Sequence, residues 1–170
     1  MHKFSAIFFL AFAVFFLSRV VGWSQDFQNN INDDKYPDYS SIISQLVPLA
    51  EYGDSEAQYR LGLVYASIEP VPPVWRVRHQ NQKESVKWYR LAAEQGHEEA
   101  QLNLGLMYGA GEGLVKNLVY AYMWMHISAF SGDARAIAGR KRVAKVMTQS
   151  QLDLALVLAL ECVKKEYKSC

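Results

Sequence analysis

Apolar positions recur at helical spacing along most of the chain, and no stretch alternates polar and apolar residues as a half-buried strand would. The pattern predicts helices over 40–52, 54–66, 83–95, 98–109, 117–131, 133–147 and 149–166. Pro48 falls inside the first and should kink it or start a fresh turn. The last opens on Thr148-Gln149-Ser150-Gln151, a capping-box pattern. Its Leu152, Leu156, Leu160 and Val163, with Ala155 and Ala159, make an apolar stripe at helical spacing.

Two stretches break the helical rhythm near the start. Ala6–Leu17 is an unbroken apolar run between a short basic beginning at Lys3 and Arg19. A bilayer-spanning helix needs about 20 apolar residues, and this run is shorter. It reads as a secretory signal peptide over residues 1–24, with small residues at Gly22 and Ser24 before the cut. The alternative is an uncleaved inner-membrane signal anchor. Residues 25–39 are rich in Asn and Asp, cannot bury enough surface to fold alone, and read as a flexible lead-in. The helical domain then covers 40–166, with 167–170 as a tail.

Self-similarity organises the helices. Leu49-Ala50-Glu51-Tyr52-Gly53-Asp54-Ser55-Glu56-Ala57-Gln58 aligns with Ala92-Ala93-Glu94-Gln95-Gly96-His97-Glu98-Glu99-Ala100-Gln101. Ser128-Ala129-Phe130-Ser131-Gly132-Asp133-Ala134-Arg135-Ala136 is a third copy. Their glycines stand at 53, 96 and 132, and a period near 36 residues is one helical hairpin with its turns. Each glycine fits the left-handed position that ends a helix. Asp54 and Asp133 follow where the next helix wants an N-cap acceptor. Gly62 and Gly105 recur inside the second helix of each alignment, where small residues let helices approach closely.

The strings Ala92-Ala93-Glu94-Gln95-Gly96 and Ala100-Gln101-Leu102-Asn103-Leu104-Gly105-Leu106-Met107-Tyr108 resemble the Sel1-like repeat, a relative of the tetratricopeptide repeats. So does the link Gly109–Asn117, followed by Ala121 and Trp124. The resemblance implies an all-α fold, a short solenoid of antiparallel hairpins, with repeats at about 54–96 and 97–132 and a partial or capping repeat over 133–166. In that last segment Lys141 replaces the helix glycine, which suits a cap with a polar outer face. The family is generally adaptor-like. The resemblance therefore implies a non-catalytic scaffold holding another protein or peptide on its concave face, in the periplasm or secreted. The competing expectation is a cell-wall-related hydrolase or ligand-binding protein built on the same repeats.

Charge narrows the partner. The whole chain carries +1; Lys3 and Arg19 are the only charges in residues 1–24, so the remainder carries −1. A nucleic-acid binder needs a basic stripe, and none is expected here. No stable membrane span is expected once the leader is removed. His79, His97 and His126 lie in different segments without metal-ligand spacing, so no metal, cofactor or catalytic residue is expected. His126 reads as a satisfied, partly buried histidine.

Three features remain as candidate sites. The insertion Ile68–His79 contains three prolines, which forbid a helix and favour an extended path. Its Trp75, Arg76 and Arg78 are residue types enriched in binding hot spots, although a tolerated insertion folded onto the solenoid edge is the plainer reading. Among the recurring aromatics most should be inter-helix core, with Tyr59 and Tyr120 as candidates for the concave surface. Cys162 and Cys170 pair if residues 166–170 fold back. If the helix continues, eight residues span about 12 Å and the thiols stay free or bridge to another chain.

Overall fold

The computed structural model describes residues 38–68 and 75–170. The expected leader over 1–24, all but the end of the lead-in, and residues 69–74 of the proline-rich insertion lie outside the described residues. Seven α-helices make up the described part: α1 (Tyr39–Glu51), α2 (Ser55–Ser67), α3 (Trp75–Ala93), α4 (Glu98–Ala110), α5 (Leu118–Ser128), α6 (Ala134–Ala144) and α7 (Gln149–Lys164). A 3₁₀ turn at Ala129–Ser131 extends α5. No strand occurs among the described residues.

Local chemistry sets the helix ends. Gly53, Gly96 and Gly132 have φ of 106°, 86° and 87°, a left-handed conformation that an L side chain would strain. The chain then re-enters a helix within two residues through a side-chain cap. Asp54 accepts from the Ala57 amide at 2.7 Å and Asp133 from the Arg135 amide at 2.7 Å. In the middle repeat the cap is His97, whose Nδ1 accepts from the Ala100 amide at 3.4 Å. Thr148 and Gln151 form the reciprocal capping box that opens α7. Helix α1 runs through Pro48.

Two hairpins, α2 with α3 and α4 with α5, stack side by side. Helices α2, α4 and α6 form one row, in which α2 touches α4 and α4 touches α6. The main core joins Tyr89, Ala92 and Ala93 of α3, Leu104 of α4, and Met123, Trp124 and Ile127 of α5 to Ala159 and Cys162 of α7. A smaller cluster of Ala50, Ala57, Leu61 and Trp88 seats α1 and α2 on α3. Small residues set the spacing: a Cβ added at Gly105 would stand 2.9 Å from Met125 Cγ and 3.1 Å from the Ala121 carbonyl oxygen.

Buried glutamines repeat with the hairpins. Gln58 donates to the Ala50 carbonyl at 2.9 Å, and Gln101 to the Ala93 carbonyl at 3.2 Å. Each gives a second hydrogen bond to a carbonyl in the last turn of the preceding helix, which also accepts from the Gly53 or Gly96 amide at the turn. Ile137 holds the matching position in the third copy and has no amide to give.

Two expectations need correction. Helix α3 begins at Trp75, so residues 75–79 are helical where an extended path was expected, and the helix starts eight residues before the expected 83. The prolines all precede Trp75, and the chain just after a proline is free to start a helix. In the closing segment, expected as a partial or capping repeat, α6 and α7 both pack against α5. The contact face of α7 runs through Ala155, Ala159 and Cys162, whose small side chains let it come close. Leu160 and Val163, expected in its apolar stripe, are exposed. The small residue of α6 that meets the core is Gly139, two residues before the Lys141 position, and a Cβ there would lie 3.0 Å from Met125 Sδ.

Residues 167–170 do more than trail away. Left-handed backbone at Glu166, Tyr167 and Ser169 turns the chain back. Tyr167 packs against the core and lies over Gly96. Cys170 is thereby brought to Cys162, and the two form a disulfide with their Cα atoms 5.4 Å apart.

Candidate functional site

The row of α2, α4 and α6 carries a cluster of polar and aromatic side chains around Tyr59 and His97. Repeat geometry explains it, because equivalent positions on successive helices line up across the row. Glu56, Glu99 and Arg135 are one such set, and all three are exposed. Leu63, Leu106 and Arg142 are another, also exposed. Across these sets the first two helices present carboxylates or leucines, and the third presents cations.

Tyr59 sits at the centre of the acidic end. Its ring stacks on His97 with centroids 4.4 Å apart and lies 6.1 Å from that of Tyr89. Partial burial, with help from Glu99, raises the Tyr59 hydroxyl above the usual phenol range. Tyr89 is more deeply buried, and desolvation pushes it up to about 12, so it stays neutral. His97 bridges the helices: its Nε2 lies 3.1 Å from Glu56 Oε2, and its Nδ1 lies 3.4 Å from Glu99 Oε2. Hydrogen bonds from His97 first, then Arg60, hold the Glu56 carboxyl below its ordinary value. At the other end Arg135 closes on Asp133 at 2.6 Å.

The structure spreads the remaining sequence candidates over separate places. Tyr120 stacks on Tyr108 with centroids 5.2 Å apart, at the junction of α4 and α5. There the Tyr108 hydroxyl accepts from Arg90 at 2.8 Å. Trp75 and Arg76 lie in the first turn of α3. Arg78 lines a cleft of about 500 Å³ with Tyr65, Asn81, Gln82, Met107 and Glu112, at the C-terminal end of α2. Tyr59 and Arg78 therefore stand near opposite ends of the first hairpin. His126 is held by Arg140, whose Nη1 donates to Nδ1 at 2.8 Å.

Of this cluster the sequence pattern points to Tyr59 alone, and assigns no role to Glu56, His97, Glu99 or Arg135. Their recurrence at matched repeat positions was visible. Their grouping depends on the lateral stacking of helices far apart in the chain. Among the described residues, no group of three or more His, Cys, Asp or Glu is arranged to hold a metal ion. No helix among them is long and apolar enough to cross a membrane.

A stack of helical hairpins with an accessible polar and aromatic face defines the class: a short all-α repeat solenoid. The Sel1 repeat model matches residues 55–97 and 98–133. This places the central hairpins in the Sel1-like repeat family, whose repeats mediate protein–protein interaction. A solved structure of a protective antigen present in uropathogenic Escherichia coli strains, displaying an SLR fold, is similar over 74% of this chain, with TM-score 0.64 and 24% identity. The match spans only 26% of that antigen's chain, and at this identity it speaks for the fold alone. No curated protein matches the chain significantly.

Proposed function

We propose that the protein is a non-catalytic scaffold, periplasmic or secreted, that binds a protein segment across the α2–α4–α6 face. The observation that carries this reading is the run of accessible side chains across three helices, acidic at Glu56 and Glu99 and basic at Arg135 and Arg142. An extended segment crossing the row meets a carboxylate end and a guanidinium end. Opposite charges on the ligand would fix its direction more than its affinity. His97 is already engaged, capping α4 and bonding Glu56, so it positions the face. Export is supported by the leader-like pattern of residues 1–24 and by the Cys162–Cys170 bridge, since disulfides persist in oxidising compartments.

The test is crosslinking in the native cell envelope followed by mass spectrometry, for the unaltered chain and for Arg135→Glu with Arg142→Glu. Both side chains are exposed, so the melting temperature should hold. The crosslinked partner should fall at least about tenfold in yield, as expected when charges of the wrong sign face a ligand. Unchanged crosslinks would remove this face from the reading.

A further inference from the structure

Helix α7 turns an apolar face to solvent. Leu154, Val157 and Leu160 are 50%, 51% and 59% exposed, while Ala155, Ala159 and Cys162 on the opposite face are buried. We infer that this face pairs with the same helix of a second copy, antiparallel, about a two-fold axis between Val157 and Leu160.

The occupant follows from the pattern of the helix itself. At 3.6 residues per turn, Asp153, Val157, Leu160 and Lys164 fall along one line down the outer face. They have the heptad spacing of alternate seam positions in a helix pair. Antiparallel two-fold pairing sets Val157 against Leu160 of the second copy, and Asp153 against its Lys164. Every central position then meets a complementary one: apolar on apolar, carboxylate on ammonium, twice over. Parallel pairing would instead stack Asp153 on Asp153 and Lys164 on Lys164. Neither residue forms an ion pair within the described part of the chain. Asp153 Oδ1 accepts from Gln149 at 2.8 Å, which holds the carboxylate on the outer face. Leu154 and Val163 border the seam on its two sides, with the exposed Glu161 one heptad beyond Leu154 on the same flank. The surface is isologous, as a two-fold dimer requires.

One helix face is smaller than the roughly 800 Å² per partner of a standard interface, so the expected dissociation constant is about 10–100 µM. The experiment is sedimentation velocity of the purified chain, bridge intact, from about 1 to about 300 µM. Concentration-dependent dimer is expected. Asp153→Lys and Lys164→Asp should each weaken it at least tenfold by placing like charges together. The double variant Asp153→Lys/Lys164→Asp should restore it. Val157→Glu should abolish it, with circular dichroism and melting temperature unchanged because the site is exposed. A monomer at every concentration overturns the inference, and so does a dimer that survives Val157→Glu. Failure of the double variant to rescue overturns the antiparallel register. None of these substitutions touches the α2–α4–α6 face, so partner crosslinking there reports separately.

Discussion

The ring of Tyr89 covers the Cα of Gly62 so closely that a Cβ there would collide with its Cδ1 and Cε1 atoms. Tyr89 is buried and cannot swing into solvent. Gly62→Ala would gain up to about 1 kcal/mol of helix propensity. Overpacking against a fixed ring costs about 1–3 kcal/mol, so the net expectation is a loss of about 1–2 kcal/mol in chemical denaturation. Gly139→Ala makes the contrast. Its neighbour is the thioether of Met125, a flexible side chain that can give by tenths of an ångström. That variant should lie within about 0.5 kcal/mol of the unaltered chain, because propensity then offsets the shift. Equal losses at the two sites would contradict the account.

The Cys162–Cys170 bridge closes a loop of nine residues and holds Tyr167 against Gly96. Cys170→Ser leaves the buried Cys162 in place and opens the loop. Chain-entropy reasoning for a loop this short gives a loss of about 2.5 kcal/mol. For a domain of this size the melting temperature should drop by about 6–10 °C. Differential scanning calorimetry with and without a phosphine reductant checks it, since reduction of the unaltered chain should reproduce the variant.

His126 accepts from Arg140 and stacks beside Tyr122, with Phe130 at its edge. Desolvation first, and the Arg140 charge second, lower its pKa below 6.5. The unfolded chain therefore takes up this proton at a higher pH than the folded chain does. Stability should be unaffected well above 6.5 and should decline as pH falls from there toward the lower folded value. His126→Asn removes this dependence. Urea unfolding at about pH 7.5 and about pH 5.5 should show a larger difference for the unaltered chain than for the variant.

Much of the fold could be read along the chain, because helix ends depend on local chemistry. Gly53, Gly96 and Gly132, followed by Asp54, His97 and Asp133, mark where one helix stops and the next begins, whatever lies around them. The alanines and Gly62 and Gly105 at matched positions announce close packing. The prolines of the insertion were misleading for residues 75–79, since a proline disfavours helix in the turn before it but not in a helix that starts just after it.

Tertiary structure alone decided which faces are used. Leu160 and Val163 carry the same periodic signal as Ala155 and Ala159, yet α7 turns the small residues inward because only they permit its approach to α5. Hydrophobicity is a property of the residue, whereas burial depends on what the neighbouring helix leaves room for. The same holds for the polar face. Tyr59, His97 and Arg135 are distant along the chain, and the sideways stacking of α2, α4 and α6 makes them neighbours.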